Sequence, residues 1–175
     1  KPKYVRTKLG ANISDLMNGQ NLSSNTRIIA GDVLSGEQVE TTGFLNFNDD
    51  QITVIKEGNE YEMFGWLLPL KPRPSVSKTF PGFLMPNHEF EANTNTHGEE
   101  RAFVVSGLYE KMLPMDIYLQ HLMKSILAGD IEKMEGLGIN ELSEEDVALA
   151  EFSSVSKQPL QSILREGLDM IREQG

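Results

Sequence analysis

A cluster of prolines divides this chain into two stretches with different hydrophobic patterns. Five of the eight prolines fall in the 18 residues between Pro69 and Pro86. Each proline removes a backbone donor and fixes φ, so neither a long helix nor a central strand fits this segment. Apolar residues occur in short extended runs before it and recur at helical spacing after Pro114. The sequence therefore predicts an α+β chain with a β-rich front and a helical back.

The front half is typical of short strands around one short helix. Asn12 is a suitable N-cap for a helix over residues 13–17, and Gly19 is a suitable stop. Extended segments are predicted at residues 4–7, 27–39 (two strands joined by a glycine turn), 44–47 and 52–55, with a hairpin turn at 56–59 and a further strand at 102–105.

The back half has the pattern of short amphipathic helices. Between Met115 and Leu127, apolar residues recur at i, i+3 and i+4. Short helices with short connections predict an antiparallel helical bundle. The predicted caps and stops are Asp116, Gly129, Asp130, Ser143 with Asp146 at capping-box spacing, and Ser156, ahead of a last apolar face of Leu160, Ile163, Leu164, Leu168 and Ile171.

Composition excludes several classes of function. Sixteen Lys and Arg against 26 Asp and Glu give a net charge of -10, which disfavours nucleic acids and anionic lipids as partners. The chain has no cysteine, so disulfides, thiolate nucleophiles and cysteine-ligated clusters are excluded. The longest strongly apolar stretch, FGWLLPL, has seven residues from Phe64, and a membrane span needs about 20.

Residues 93–116, NTNTHGEERAFVVSGLYEKMLPMD, lie at the joint between the two halves, and a candidate metal or catalytic loop covers their start and the residues just before them. His88, Glu89, Glu91, His97 and Glu99 are ligand types that suit zinc or manganese. The two histidines are nine residues apart without helical spacing, so solvated loop residues are the favoured interpretation. We therefore predict no metal site and no catalytic residue.

Two other motifs favour structure over chemistry. Five acids cluster between Glu141 and Glu151, and three of them, Glu144, Glu145 and Asp146, directly follow a cap serine, where the helix dipole favours negative charge. The segment AGDVLSG lacks the third glycine and the following helix of a dinucleotide fingerprint, so a turn is the better interpretation.

Aromatic residues near the prolines are the best candidates for contact with a ligand or partner. Large apolar side chains in a loop either pin it to its own domain or form a contact patch. Both interpretations remain open for Phe64, Trp66, Phe80 and Phe83.

Segments spread over the whole chain carry a family resemblance. They are VRTKLGANISDL (5–16), RIIAGDVLSG (27–36), EMFGWLLP (62–69), GLYEKMLPMD (107–116), LAGD (127–130), ELSEEDVALAEF (141–152) and LREGLDMIREQG (164–175). In this order they resemble the C-terminal part of the A subunit of the bacterial sodium-translocating NADH:quinone reductase. Residues 70–92 match less well, and a further N-terminal part is expected.

The resemblance implies a component of a membrane redox pump that passes electrons from NADH to quinone and exports sodium. It would be cytoplasmic, peripheral on the inner face of the bacterial membrane, and not membrane-spanning. Its partners would be the other subunits of the pump. Flavins, iron–sulfur centres and quinone are expected in the complex, with no cofactor in this chain.

The same family is similar in architecture to the flavin-binding subunit of respiratory complex I. That likeness implies a β-grasp module of the soluble-ligand-binding type at residues 1–58, a proline-rich connection with a β hairpin or strand at 59–107, and a helical bundle at 108–175. The corresponding bundle of complex I holds a four-iron cluster. This chain has no cysteine, so its bundle would be a scaffold without a cluster.

Two functional hypotheses follow. The first is a non-catalytic docking and scaffold region of the redox pump. The second is an autonomous β-grasp module that binds a quinone-like small molecule against Trp66 and the loop aromatics. An enzyme that uses His88 and His97 is a distant third.

Overall fold

The computed structural model describes residues 2–19, 25–60, 64, 87, 89 and 91–174, in two compact units that meet in sequence between His97 and Gly98. The predicted α+β class is confirmed by a small antiparallel sheet and several helices. The strands are β1 (Thr26–Ala30), β2 (Glu37–Gln38) and β3 (Ile52–Lys56). The helices are α1 (Ile13–Leu16), α2 (Leu108–Met112), α3 (Leu119–Leu127), α4 (Ile131–Gly136), α5 (Glu144–Ser153) and α6 (Leu160–Gln174), with a 3-10 helix at Ile139–Glu141.

The sheet of the first unit has the order β2-β1-β3, and both pairings are antiparallel. Ile29 of β1 pairs with Gln38 of β2, and Ile28 pairs with Val54 of β3. The predicted strand, glycine turn and strand at residues 27–39 are therefore confirmed. The central strand carries three consecutive buried residues, Ile28, Ile29 and Ala30, as is typical of a strand covered on both faces.

Helix α1 is held by its predicted cap and by the loop between β2 and β3. The Asn12 side chain accepts a hydrogen bond from the Ser14 N–H at 2.9 Å, and Gly19 has a φ of 81° beyond the end of the helix. The N–H of Ile13 donates to the Gly43 carbonyl at 3.0 Å, and the Ile13 side chain is fully buried. Both predicted signals of this helix are confirmed.

Two predicted extended segments of the first unit are wrong as strands. Residues 2–8 form no strand, and the Tyr4 side chain is fully exposed. Residues 44–47 contribute one isolated bridge, between Phe44 and Asn12. β-propensity depends on packing against a partner strand, which these segments lack among the described residues.

The second unit packs its helices around one hydrophobic core. The predicted face of α6 is confirmed, because Leu160, Ile163 and Leu164 are buried and Leu168 and Ile171 pack against the core. The predicted face of α3 is confirmed except at Leu127, which is 56% exposed. The buried core consists of Tyr109, Leu113, Ile117, Leu119, Leu122, Met123, Ile126, Met134, Ile139, Leu142, Val147, Ala150, Leu160, Ile163 and Leu164.

Caps that act within one turn are where the sequence predicts them. The Asp130 carboxylate accepts from the Lys133 N–H at 3.1 Å, and Ser143 forms a capping box with Asp146. Gly129 follows Ala128, the C-cap residue of α3, and its φ of 68° suits its C′ position.

The predicted caps at Asp116 and Ser156 are wrong. Helix α3 begins at Leu119, and the Glu110 carboxylate accepts the Gln120 N–H at 3.2 Å. Helix α6 begins at Leu160, and the Glu151 carboxylate accepts the Gln161 N–H at 2.7 Å. In both helices a carboxylate from the preceding helix satisfies an N-terminal donor, so a local cap is not needed.

The predicted strand at residues 102–105 is also wrong. The Arg101 N–H donates to the Ser156 carbonyl at 2.8 Å, and the Val104 N–H donates to the Ser156 hydroxyl at 3.4 Å. The Phe103 ring packs edge-on against Tyr109, with centroids 6.0 Å apart. This segment lies along the helical unit rather than in a sheet, because its donors find partners at the turn before α6.

Candidate functional site

The aromatic candidates are mostly beyond what the structure describes. Phe64 is 57% exposed and has a φ of 52°. Trp66, Phe80 and Phe83 lie outside the described residues. Contact of these four residues with a ligand or partner therefore stays a prediction.

The residues considered for a metal site do not converge within the described part of the chain. There, no group of three or more His, Asp or Glu side chains is arranged to hold a metal ion. The Glu91 carboxylate pairs with the Lys56 ammonium at 2.8 Å, and the His97 N–H donates to the Asn95 side chain at 3.0 Å. His88 lies outside the described residues, so the absence of a metal site stays a prediction.

The glycine loop between β1 and β2 is closed by its own aspartate. The Asp32 carboxylate accepts the Leu34 N–H at 2.6 Å, the Ser35 N–H at 3.0 Å and the Ser35 hydroxyl at 2.7 Å. These bonds, chiefly the one from the Ser35 hydroxyl, lower the pKa of Asp32. Because a side-chain carboxylate occupies the donors that could hold a bound anion, the loop acts as a turn.

A polar network that the sequence did not predict joins the sheet to the Thr/Asn segment. The Arg27 guanidinium donates to the Glu57 carboxylate at 2.9 Å, and the Thr94 hydroxyl donates to the same carboxylate at 2.9 Å. These two contacts, with Arg27 the larger cause, lower the pKa of Glu57. The Thr94 hydroxyl also accepts the Gly58 N–H at 2.8 Å. Residues 93–95 are thus fixed to the end of β3, and this part of the joint is structural.

The acidic segment at 141–151 has mostly structural partners. Glu144 pairs with Arg165 of α6, Asp146 completes the capping box, and Glu151 caps α6. Glu141 and Glu145 are exposed, and neither has an ion pair among the described residues. The structural interpretation of this segment therefore holds for three of its five acids.

A groove of about 800 Å³ lies between α3 and α4 in the helical unit. Its lining combines both charges, since the Lys133 ammonium pairs with the Asp130 carboxylate at 2.5 Å and Lys124 and Glu132 lie nearby. The Ser125 hydroxyl donates to the His121 carbonyl at 3.0 Å and therefore has no activating contact with the imidazole. The groove assembles no nucleophile and base pair from the residues that line it.

The feature that sequence reasoning missed is the outer face of α5. Leu149 is 44% exposed, Phe152 58% and Val155 49%. On the opposite side the same helix buries Val147, Ala148 and Ala150. The signal was present in the sequence, because the apolar residues of α5 do not separate onto one face as those of α3 and α6 do. We call Leu149, Phe152 and Val155 the α5 outer face.

No helix within the described ranges is both long enough and apolar enough to span a bilayer.

Comparison with known proteins identifies relatives over the full length of the chain. A family model, NQRA_SLBB, described as the NQRA C-terminal domain, matches residues 1–41. The chain is 40% identical over 176 residues to the A subunit of the Na(+)-translocating NADH-quinone reductase of Yersinia pestis bv. Antiqua (strain Angola), an alignment that covers 100% of this chain and 39% of the relative.

Two further relatives bear the same name. The protein of Vibrio atlanticus (strain LGP32) is 38% identical over 177 residues, covering 99% of this chain and 39% of the relative. The protein of Shewanella frigidimarina (strain NCIMB 400) is 39% identical over 176 residues, covering 100% of this chain and 40% of the relative. The chain thus spans about 40% of the length of the curated relatives it matches. The predicted resemblance to the C-terminal part of these proteins is confirmed.

Proposed function

We propose, on the premise that this chain is homologous to the C-terminal part of the A subunit of the Na(+)-translocating NADH-quinone reductase, that it is a non-catalytic docking and scaffold region of such a protein. In this proposal the complete protein is a peripheral subunit on the cytoplasmic face of the bacterial membrane. It supports electron transfer from NADH to quinone coupled to sodium export. The similarity over 100% of the chain is the observation that carries the proposal.

The residues of the described part support a structural rather than a chemical role. The groove between α3 and α4 has no activated nucleophile, and the glycine loop uses its own donors to bind Asp32. Flavins and iron–sulfur centres would reside on sister subunits, and quinone would be bound in the complex. We propose no cofactor in this chain.

Within this role we propose that the chain has three successive regions. Residues 1–58 would form a β-grasp module, residues 59–107 a connection, and residues 108–175 an antiparallel helical bundle. The three-stranded sheet and the match of the family model to residues 1–41 support the first assignment. The single core of the helical unit supports the last.

The test is deletion of this segment from the complete protein in a bacterium that makes the reductase. We expect the complex to fail to assemble on a native gel, with loss of NADH-driven quinone reduction. An assembled and active complex without the segment would contradict the proposal.

A second measurement separates scaffolding from catalysis. Replacement of His88 or His97 by Asn in the complete protein should leave turnover per assembled complex unchanged. A large loss of turnover in a complex that still assembles would show that this region takes part in the chemistry.

The alternative function, a module that binds a quinone-like small molecule, is favoured by one observation. The family model that matches residues 1–41 is labelled NQRA_SLBB, which agrees with the soluble-ligand-binding β-grasp module that the resemblance implies. Titration of the isolated chain with a water-soluble quinone should then quench the fluorescence of Trp66, the one tryptophan of the sequence. Unchanged fluorescence across micromolar to millimolar quinone would remove this alternative.

A further inference from the structure

The α5 outer face is an exposed apolar stripe on an otherwise packed helix. Leu149 and Phe152 are three residues apart and therefore lie on one side of the helix. Val155 lies in the turn after α5. The next residue, Ser156, accepts a hydrogen bond through its hydroxyl from the Val104 N–H. Val104 is itself 59% exposed. The backbone of Val104 thus lies beside the turn that carries Val155.

Helix α5 differs in this respect from α6. In α6, the residues that face away from the core are polar or charged, such as Ser162, Arg165 and Glu166. In α5, large apolar side chains occupy both sides. Neighbouring exposed large apolar side chains mark an interaction site.

The charge around the α5 outer face indicates which partner would cover it. Glu145 precedes Leu149 by one helical turn, and Glu141 lies just before the helix; both are exposed. No Lys or Arg occurs between Lys133 and Lys157. The start of the apolar stripe is therefore negative, which disfavours an anionic membrane there and favours a partner with basic residues at that end.

We infer that the α5 outer face docks a cationic amphipathic helix of another polypeptide, with apolar residues against Leu149, Phe152 and Val155 and Lys or Arg opposite Glu141 and Glu145. Apolar anchors at helical spacing in contact with an apolar stripe are a recurrent mode of peptide recognition. The opposite charges add specificity and a faster encounter. This inference rests on the proposed function and names the chemistry of the partner that the scaffold holds.

The direct test uses this chain and a synthetic peptide. The probe is a fluorescently labelled Leu/Lys peptide of about 18 residues with leucines at helical spacing, long enough for about five turns. The matched control peptide has Glu in place of every Lys. We expect the Lys peptide to bind, with an affinity that falls as salt is raised, and the Glu peptide not to bind.

Protein variants locate the site. The double variant Leu149→Gln/Phe152→Ser should weaken binding of the Lys peptide by at least about tenfold. Glu145→Lys should weaken it and reduce its dependence on salt. The control is Leu127→Gln, because Leu127 is equally exposed but lies on α3; binding should be unchanged. Circular dichroism of each variant shows that the fold is retained.

Several results would overturn the inference. They are failure of the Lys peptide to bind, equal binding of both peptides, or binding that the double variant leaves unchanged. Dimerisation of the chain that Phe152→Ser abolishes would identify a second copy as the occupant. Flotation with vesicles of phosphatidylcholine and phosphatidylglycerol, lost in the double variant, would identify a membrane.

The same double variant in the complete protein separates this inference from the proposed function. If deletion of the segment prevents assembly of the complex but Leu149→Gln/Phe152→Ser does not, the scaffold role stands and the α5 docking site is wrong. If the double variant also prevents assembly, both stand. If neither change affects assembly, both fail.

Discussion

At the scale of single residues, a buried contact that joins distant parts of the helical unit is the hydrogen bond between Tyr109 and Ser154. The two hydroxyl oxygens are 2.7 Å apart, and each residue is 1% exposed. The partners are 45 positions apart in the sequence. A tyrosine in an amphipathic pattern predicts burial, but nothing local predicts which hydroxyl satisfies it.

We expect Tyr109→Phe to lower the free energy of unfolding by about 1–2 kcal/mol, because it leaves the buried Ser154 hydroxyl without its partner. The measurement is urea denaturation followed by circular dichroism. The double variant Tyr109→Phe/Ser154→Ala removes both polar groups and should recover part of the loss. A double variant that is less stable by the full sum of the single changes would contradict this coupling.

Replacement of a second residue, Gln120, is expected to have the opposite effect and to raise the free energy of unfolding. Gln120 is 2% exposed, and its side-chain nitrogen has no hydrogen-bond partner among the described residues. Burial of an unsatisfied amide costs about 1–3 kcal/mol. We therefore expect Gln120→Met, which keeps an unbranched side chain of similar length, to raise the free energy of unfolding by about 1 kcal/mol. A loss of stability in the same denaturation experiment would show that this amide has a stabilising partner.

At the scale of the elements, the helix ends fall into two groups. Asn12, Asp130 and the Ser143–Asp146 box act on donors within three residues, and their spacing in the sequence was enough to predict them. Glu110 and Glu151 act on donors ten positions away in the next helix. Those pairs depend on how two helices pack, so the sequence predicted local caps at Asp116 and Ser156 instead.

The capping box of α5 predicts a specific dependence on pH. Hydrogen bonds from the backbone N–H and then the hydroxyl of Ser143 lower the pKa of Asp146. A lowered folded-state pKa contributes stability above the ordinary aspartate value near 3.9, and that contribution is lost as pH falls through the folded-state pKa. We expect the melting temperature of the wild type to fall more steeply below about pH 4 than that of Asp146→Asn.

Glu145 supplies the matched control for this prediction. It lies beside Asp146 in the first turn of α5 but has no part in the capping box. The Glu145→Gln variant should retain the steep acid limb of the wild type. Equal slopes for the wild type and Asp146→Asn would show that the box contributes nothing to the pH dependence.

Replacement by Ala is expected to have opposite effects on stability at two glycines that lie in helices. A Cβ on Gly167 of α6 would lie 2.8 Å from Ile139 Cδ1 and 2.9 Å from Ile126 Cγ1, whereas a Cβ on Gly136 of α4 would meet nothing within 4 Å. Ala is favoured over Gly in a helix by about 1 kcal/mol, but overpacking a core costs about 1–3 kcal/mol. We expect Gly167→Ala to destabilise by about 1 kcal/mol and Gly136→Ala to stabilise by several tenths.

Thermal and urea unfolding of the two glycine variants provide the test. At Gly167 the backbone of α6 lies against the side chains of Ile126 of α3 and Ile139 of the 3-10 helix, which its position in an amphipathic pattern did not indicate. If Gly167→Ala is as stabilising as Gly136→Ala, the contact of α6 with Ile126 and Ile139 is looser than the structure shows.

At the scale of the whole molecule, the two units differ in how they are stabilised. The described part of the first unit has four buried apolar side chains, Ile13, Ile28, Ile29 and Ala30. Hydrogen bonds from Arg27 and Thr94 to the Glu57 carboxylate add to its stabilisation. The second unit contains the core of fifteen buried residues between Tyr109 and Leu164. Most of the hydrophobic stabilisation of the described residues therefore belongs to the helical unit.

We expect residues 98–175 to fold alone, because this core lies entirely within them. The expected result is a cooperative thermal transition with the helical circular dichroism of the longer chain. The fragment includes residues 98–107, since Phe103 packs on Tyr109 and Arg101 bonds to Ser156. A second fragment that begins at Leu108 should be less stable, and equal stability of the two would contradict the role of this segment.

The sequence by itself determined the α+β class, the change from extended to helical pattern, the β1–turn–β2 unit and the caps that act within one turn. Each of these depends on contacts between residues a few positions apart, which composition and spacing express directly. Only the tertiary structure decided that Glu151 caps α6, that Tyr109 binds Ser154, that residues 102–105 lie on the helical unit, and which side of α5 remains exposed. Those outcomes depend on how the helices pack, and the energies of packing are set by surfaces that are far apart in the chain.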